Sequence, residues 1–171
     1  MIFGMTALTF VHVVISLVGI FSGFFVVYGF ITNKRLDHMT ALFLSTTTAT
    51  SVTGYFFPFH GVSPAIVVGV ISLIVLAVAI YARYSRRLAG GWKRTYVINA
   101  VLALYLNVFV LVVQLFEKVP SLRALAPTQS ETPFKITQLI VMVIFIGLGI
   151  FSVKGFRDDT VRVAGAVPRT A

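Results

Sequence analysis

Six side chains able to do chemistry stand in or beside strongly apolar runs of this chain: His12, His60, Asn107, Gln114, Glu117 and Gln138. His12 interrupts the first run, and an ionisable group there is a functional candidate by default because hydrocarbon burial is costly. An imidazole in that place can carry a proton, ligate a metal or haem iron, or bond a quinone oxygen. Asn107, Gln114 and Gln138 add amides, each both donor and acceptor, and Glu117 adds a carboxylate. The competing reading of His12 is a neutral ring bonded to a neighbouring Ser or Thr. For His60 it is a ring capping a tight turn at the interface. His38, beside Asp37, reads as a solvated surface residue. If the N-terminus lies outside a membrane, His12 falls roughly 9 Å below the start of its run, Gln114 sits near the outer end of another, and Asn107 is about 10 Å further in. All six then share the outer half, where they form a ligand-binding pocket opening outward beneath the segment 117–135.

Other chemistry is thinly represented. Haem b between helices wants two His at matched depth, and His12 and His60 differ in depth. Met142 is a possible second axial ligand to His12. Copper would draw on Met5, His12, His60 and Met142, but no spacing among them is that of a metal site. The absence of cysteine removes disulfides, Cys-ligated zinc and iron–sulfur clusters. No GxSxG, HExxH, Walker loop or dinucleotide fingerprint occurs. The acids are Asp37, Glu117, Glu131, Asp158 and Asp159, and none lies in the core of an apolar run, which argues against a carboxylate-driven transporter. A path for a neutral solute stays open, since hydroxyls and amides can line one. The expectation is a non-enzymatic ligand-binding or transport-related subunit with no catalytic residue and no resident cofactor. A haem b or quinone protein using His12 and a structural subunit of a larger complex are the alternatives.

The elements that must position these groups follow from composition. The chain is 58% hydrophobic and 11% charged, against about 25% charged in a soluble domain. Such a chain cannot hide its apolar surface in a core of its own, so a bilayer is its solvent. The runs 6–31, 41–59, 64–84, 96–116 and 136–156 read as five transmembrane helices of one all-α bundle over 1–156, with a flexible cytoplasmic tail over 157–171. The run 41–59 is the weakest, carrying Ser45, Thr46, Thr47, Thr48, Thr50, Ser51 and Thr53, whose hydroxyls can bond back to their own helix carbonyls. Five spans place eleven basic residues on one side: Lys34, Arg35, Arg83, Arg86, Arg87, Lys93, Arg94, Lys154, Arg157, Arg162 and Arg169. Lys118, Arg123 and Lys135 fall on the other. The positive-inside rule then sets the N-terminus outside and the C-terminus in the cytoplasm. The net charge of +9 therefore reads as membrane orientation, with no nucleic-acid partner. The first run lacks a basic leader and a cleavage site and is expected to stay in the membrane. A tight outer hairpin over 58–63, with Pro58 and Pro64 as helix stop and start, and a short helical turn near Ser121–Leu125 complete the reading.

Small and polar residues recur at helical spacing, which favours close helix packing: Ser16, Gly19 and Gly23, then Gly69, then Ala100 and Ala103, then Gly149. Arg83, Arg86, Arg87, Lys93 and Arg94, with Trp92, are placed to meet anionic lipid headgroups on the cytoplasmic side. A membrane-protein partner or a second copy of the chain is a further possible contact. The runs LDHMTALFLSTTTATSVTGYFFPFHG and LNVFVLVVQLFEKVPSLRALAPTQSETPF resemble small multi-pass inner-membrane proteins of proteobacteria. The resemblance covers the chain from the first run to the last and implies a bacterial cytoplasmic membrane protein. It transfers no catalytic residue, because that group has no assigned activity.

Overall fold

A computed structural model of the chain describes residues 6–57 and 64–156. Among these the molecule is all-helical: α1 (Ala7–Ile31), α2 (Asp37–Gly54), α3 (Pro64–Ile80) continued by a π-helical turn (Tyr81–Ser85), α4 (Trp92–Lys118), the short α5 (Pro120–Leu125) and α6 (Thr132–Gly155). Four helices are long and apolar enough to cross a membrane: α1, Ile66–Ser85, α4 and α6. The hydroxyl-rich α2 is not among them on composition, although its 18 residues rise about 27 Å, close to a hydrocarbon core.

Local chemistry sets the ends. Thr6 caps α1 by accepting from the Thr9 amide at 3.2 Å. At its other end Asn33 takes a left-handed conformation (φ 54°). Lys34 N–H then reaches Gly29 O (2.8 Å) and Asn33 N–H reaches Phe30 O (3.3 Å). This is a Schellman closure, with Asn in the place where only Gly is more usual. α2 begins four residues earlier than the run 41–59, because Asp37 fits a first turn whose free N–H groups favour negative charge. It ends at Gly54 instead of continuing to 59. From there Tyr55, Phe56 and Phe57 N–H groups bond carbonyls three residues back, tightening the chain out of the helix. α4 and α6 likewise start four residues before the apolar runs, through Trp92–Thr95 and through Thr132–Lys135 with Pro133 in the first turn. The π turn around Arg83 was not expected from the sequence. The expected hairpin 58–63, His60, Met5 and the tail 157–171 lie outside the described residues.

α4 is the hub, touching α1, α3, α5 and α6. Its Tyr96, Val97, Ala100, Ala103 and Leu104 are all but inaccessible. α1 packs most extensively against α2. A Cβ built on Gly23 would lie 2.6 Å from Leu104 Cδ1 and 2.9 Å from Phe43 Cε2, so α1, α2 and α4 meet there at a distance where any larger residue would push Leu104 or Phe43 aside. At the end of the bundle carrying the α1–α2 turn, a Cβ on Gly155 would lie 2.6 Å from Ile31 O, which sets α6 directly against the end of α1.

Candidate functional site

The polar stripe of α1 faces the hydroxyls of α2 in antiparallel register. His12 Nδ1 is 2.9 Å from Thr53 Oγ1, and Ser16 Oγ is 3.4 Å from Thr50 Oγ1. Gly19 abuts Thr47 Oγ1 and Thr46 Oγ1, and Gly23 abuts Phe43. Each step of three or four residues down α1 is matched by a step of three or four up α2, because both stripes follow the helical repeat. α4 closes the third side. Asn107 Nδ2 donates to Thr47 Oγ1 at 3.3 Å and lies against Gly19.

Most of these hydroxyls are satisfied within their own helix. Ser16 donates to His12 O (2.7 Å), Thr46 to Leu42 O (2.6 Å), Thr48 to Leu44 O (2.7 Å) and Thr53 to Ala49 O (2.7 Å). The Thr53 bond decides the state of His12. The Thr53 proton is committed to Ala49 O, so Thr53 Oγ1 accepts, and His12 Nδ1 carries the hydrogen that it receives. His12 Nε2 is then the ring nitrogen with the free lone pair. The ring is steadied edge-on by Phe57, centroids 5.1 Å apart, and Gly54 leaves room beside Cε1 (3.8 Å to a built Cβ).

The remaining expected site residues are not gathered around His12. Asn107 belongs to the same seam but stands level with Gly19, about 10 Å along α1 from His12. Gln114 is exposed. Glu117 is exposed and pairs with Lys118 at 3.1 Å. Gln138 is buried between α4 and α6, with Nε2 on Phe109 O at 3.2 Å and Oε1 without a partner among the described residues. α4 turns one side to α1 and α2 and another to α6, so residues at similar height on it serve different contacts. The single outward pocket expected around His12, Asn107, Gln114 and Gln138 is replaced by a linear seam and a separate α4–α6 contact. Met142 is exposed on α6. His38 lies in the first turn of α2, at the opposite end of that helix from Thr53 and His12, so these two described histidines cannot clamp one haem.

The basic end is also more structured than a headgroup belt. Arg83, presented by the π turn, forms an ion pair with Asp37 and donates to Tyr96 Oη at 3.4 Å. Its guanidinium lies 5.4 Å from the Tyr96 ring centroid and 5.6 Å from that of Tyr84. Lys93 is buried with Nζ 4.7 Å from the Phe156 ring centroid. Arg83 and Lys93, both expected at headgroups, are thus turned into the protein, whereas Arg86, Arg87 and Arg94 are exposed. Arg86 lies over Trp92 at 5.2 Å.

Sequence reasoning gave a Ser or Thr as the competing partner of His12 without naming Thr53, and it missed Thr47 as the partner of Asn107. The signal was present in the repeat 47, 50, 53 on α2 against 12, 16, 19 on α1. Compared with known proteins, the chain matches no protein-family model, no curated protein and no solved structure.

Proposed function

We propose that this chain is a five-span protein of a bacterial cytoplasmic membrane, N-terminus outside, that takes a small polar ligand at the outer end of the α1–α2 seam as a ligand-binding or transport-related subunit. The observation that carries the reading is the Thr53 bond: it fixes the His12 tautomer and leaves Nε2 as an oriented acceptor for a ligand hydroxyl or amide. The seam groups nearest that end, Ser16, Thr50, Thr47 and Asn107, are neutral, which favours an uncharged ligand over an ion. Five spans are supported by α2 itself, whose first residue meets Arg83 at the basic end while Thr53 meets His12 at the other. The eleven-to-three division of basic residues supports the orientation. Arg86, Arg87 and Arg94 are the residues offered to anionic headgroups.

The test is uptake of glycerol and urea into liposomes containing the purified chain, against empty liposomes. The reading expects uptake above background that falls in His12→Ala and Thr53→Val and persists in Ser152→Ala, a substitution at a buried position of α6 outside the α1–α2 seam. A folded His12→Ala variant with wild-type uptake would overturn it.

A further inference from the structure

At the end of the bundle away from Arg83, the segment joining α4 to α6 borders a half-open hollow of about 350 Å³ lined by Phe116, Glu117, Lys118, Arg123, Pro127, Thr128 and Gln129. That volume lies within the range of small-ligand pockets. Its walls are held in place by several independent contacts. Ala126 is fully buried against Phe116, Leu122 and Phe134. Gln129 adopts φ 58° and sends Nε2 to Val113 O at 3.2 Å, tying the loop back to α4. Glu131 accepts from Thr128 N (3.1 Å), Thr128 Oγ1 (2.9 Å) and Ser130 N (3.0 Å), so its carboxylate is spent on the loop backbone and hydroxyl. A cavity built this way needs little ordering when a ligand arrives.

The charges on its wall are unequal. Glu117 is answered by Lys118 at 3.1 Å. Arg123 forms no ion pair among the described residues and contributes an exposed guanidinium to the same hollow. We infer that this cavity binds a small soluble carboxylate, with its oxygens on the Arg123 guanidinium. A planar fork of N–H donors matches a carboxylate in bidentate geometry. The site is separate from the His12 seam, and neither inference depends on the other.

The experiment is calorimetric titration of succinate, glutamate and inorganic phosphate into the full-length protein in neutral detergent. It is repeated on Arg123→Gln and on Lys135→Gln, which removes an exposed charge elsewhere on the same end. The expected result is saturable carboxylate binding, weakened at least about tenfold by Arg123→Gln and less than about twofold by Lys135→Gln. No saturable carboxylate binding up to ~10 mM, or equal weakening in both variants, would overturn the inference. So would tighter binding of phosphate, or loss of carboxylate binding in phosphatidylglycerol nanodiscs, since either assigns Arg123 to phosphate or to a lipid headgroup.

Discussion

Along α1 and α2 the buried hydroxyls of Ser22, Thr40, Thr47 and Thr50 all have partners, whereas across α4 and α6 Gln138 Oε1 and Ser152 Oγ are buried with none among the described residues. The two regions also differ in closeness. Gly19 and Gly23 bring α1 within contact of Thr47, Asn107, Phe43 and Leu104, but where α6 faces α4 a Cβ on Gly149 would meet only Val101 Cγ1, at 3.8 Å. A hydroxyl bonded to a carbonyl four residues back keeps that bond when its helix packs against another, so it costs little to bury and permits close approach. A glutamine cannot satisfy itself in this way. The seam is therefore more specific than the α4–α6 contact: α6, with Ile140, Val143, Ile144, Ile150 and Phe151 exposed on its outer face, meets α4 chiefly by apolar fit and approaches α1 closely only at Gly155.

The sharpest way to break that comparison is to add volume at both places. Gly23→Val should lower stability in a detergent unfolding titration by about 3 kcal/mol, because Leu104 and Phe43 cannot both retreat. Gly149→Ala should leave it unchanged or raise it by up to ~1 kcal/mol, because its Cβ has ordinary clearance from Val101 and helix propensity favours Ala. Equal losses would erase the distinction between the regions. Next in size, Thr47→Val removes the acceptor of the Asn107 amide and should cost about 1 kcal/mol. A double-mutant cycle with Asn107→Leu should return a coupling near 0.6 kcal/mol. Ser152→Ala removes a hydroxyl that has no partner and should lie within ~0.5 kcal/mol of wild type or slightly above it.

The smallest effect concerns the loop under α5. Burial opposes ionisation of Glu131, but hydrogen bonds from the Thr128 hydroxyl and from loop amides together outweigh it and hold its carboxyl below the usual 4.5. A depressed folded value means that the carboxylate supports the loop fully above that pH and stops doing so as pH falls through the folded value. Corrected for the intrinsic pH dependence of exchange, amide protection at Thr128 and Ser130 should hold at neutral pH and be lost only below the ordinary carboxyl range, while Glu131→Gln should show weaker protection throughout. Exchange that rises already near pH 6 would point to another group.

Much of the fold was legible because apolar runs long enough to span a bilayer are hard to mistake, and because Gly, Pro and basic residues punctuate them. The boundaries were less legible. Asp37, Trp92 and Thr132 are poor membrane residues but sound first-turn residues, so hydropathy alone begins α2, α4 and α6 too late. The π turn at Tyr81–Ser85 left no mark in a sequence that reads as continuous helix. At the site, His12 and Asn107 stood out as polar groups among aliphatic ones. Gln114, Glu117 and Gln138 stood out equally, and sequence could not tell which side of α4 each would take. Depth along a helix is readable from residue number, but the azimuth of a mostly apolar helix is not, because its hydrophobicity is nearly the same all round. Arg83 and Lys93 misled for a related reason: near a helix end a long cation can reach a headgroup or turn back onto Tyr96 or Phe156.

The central claim is that Thr53 holds His12 with Nδ1 protonated and Nε2 free to receive a ligand. Nitrogen NMR of the labelled His12 imidazole, in the full chain in nanodiscs at neutral pH, reads this directly. The account predicts a protonated Nδ1 and an unprotonated Nε2 that exchange places, or lose their distinction, in Thr53→Val. A ring protonated at Nε2 in the wild-type protein, unaffected by Thr53→Val, would contradict it.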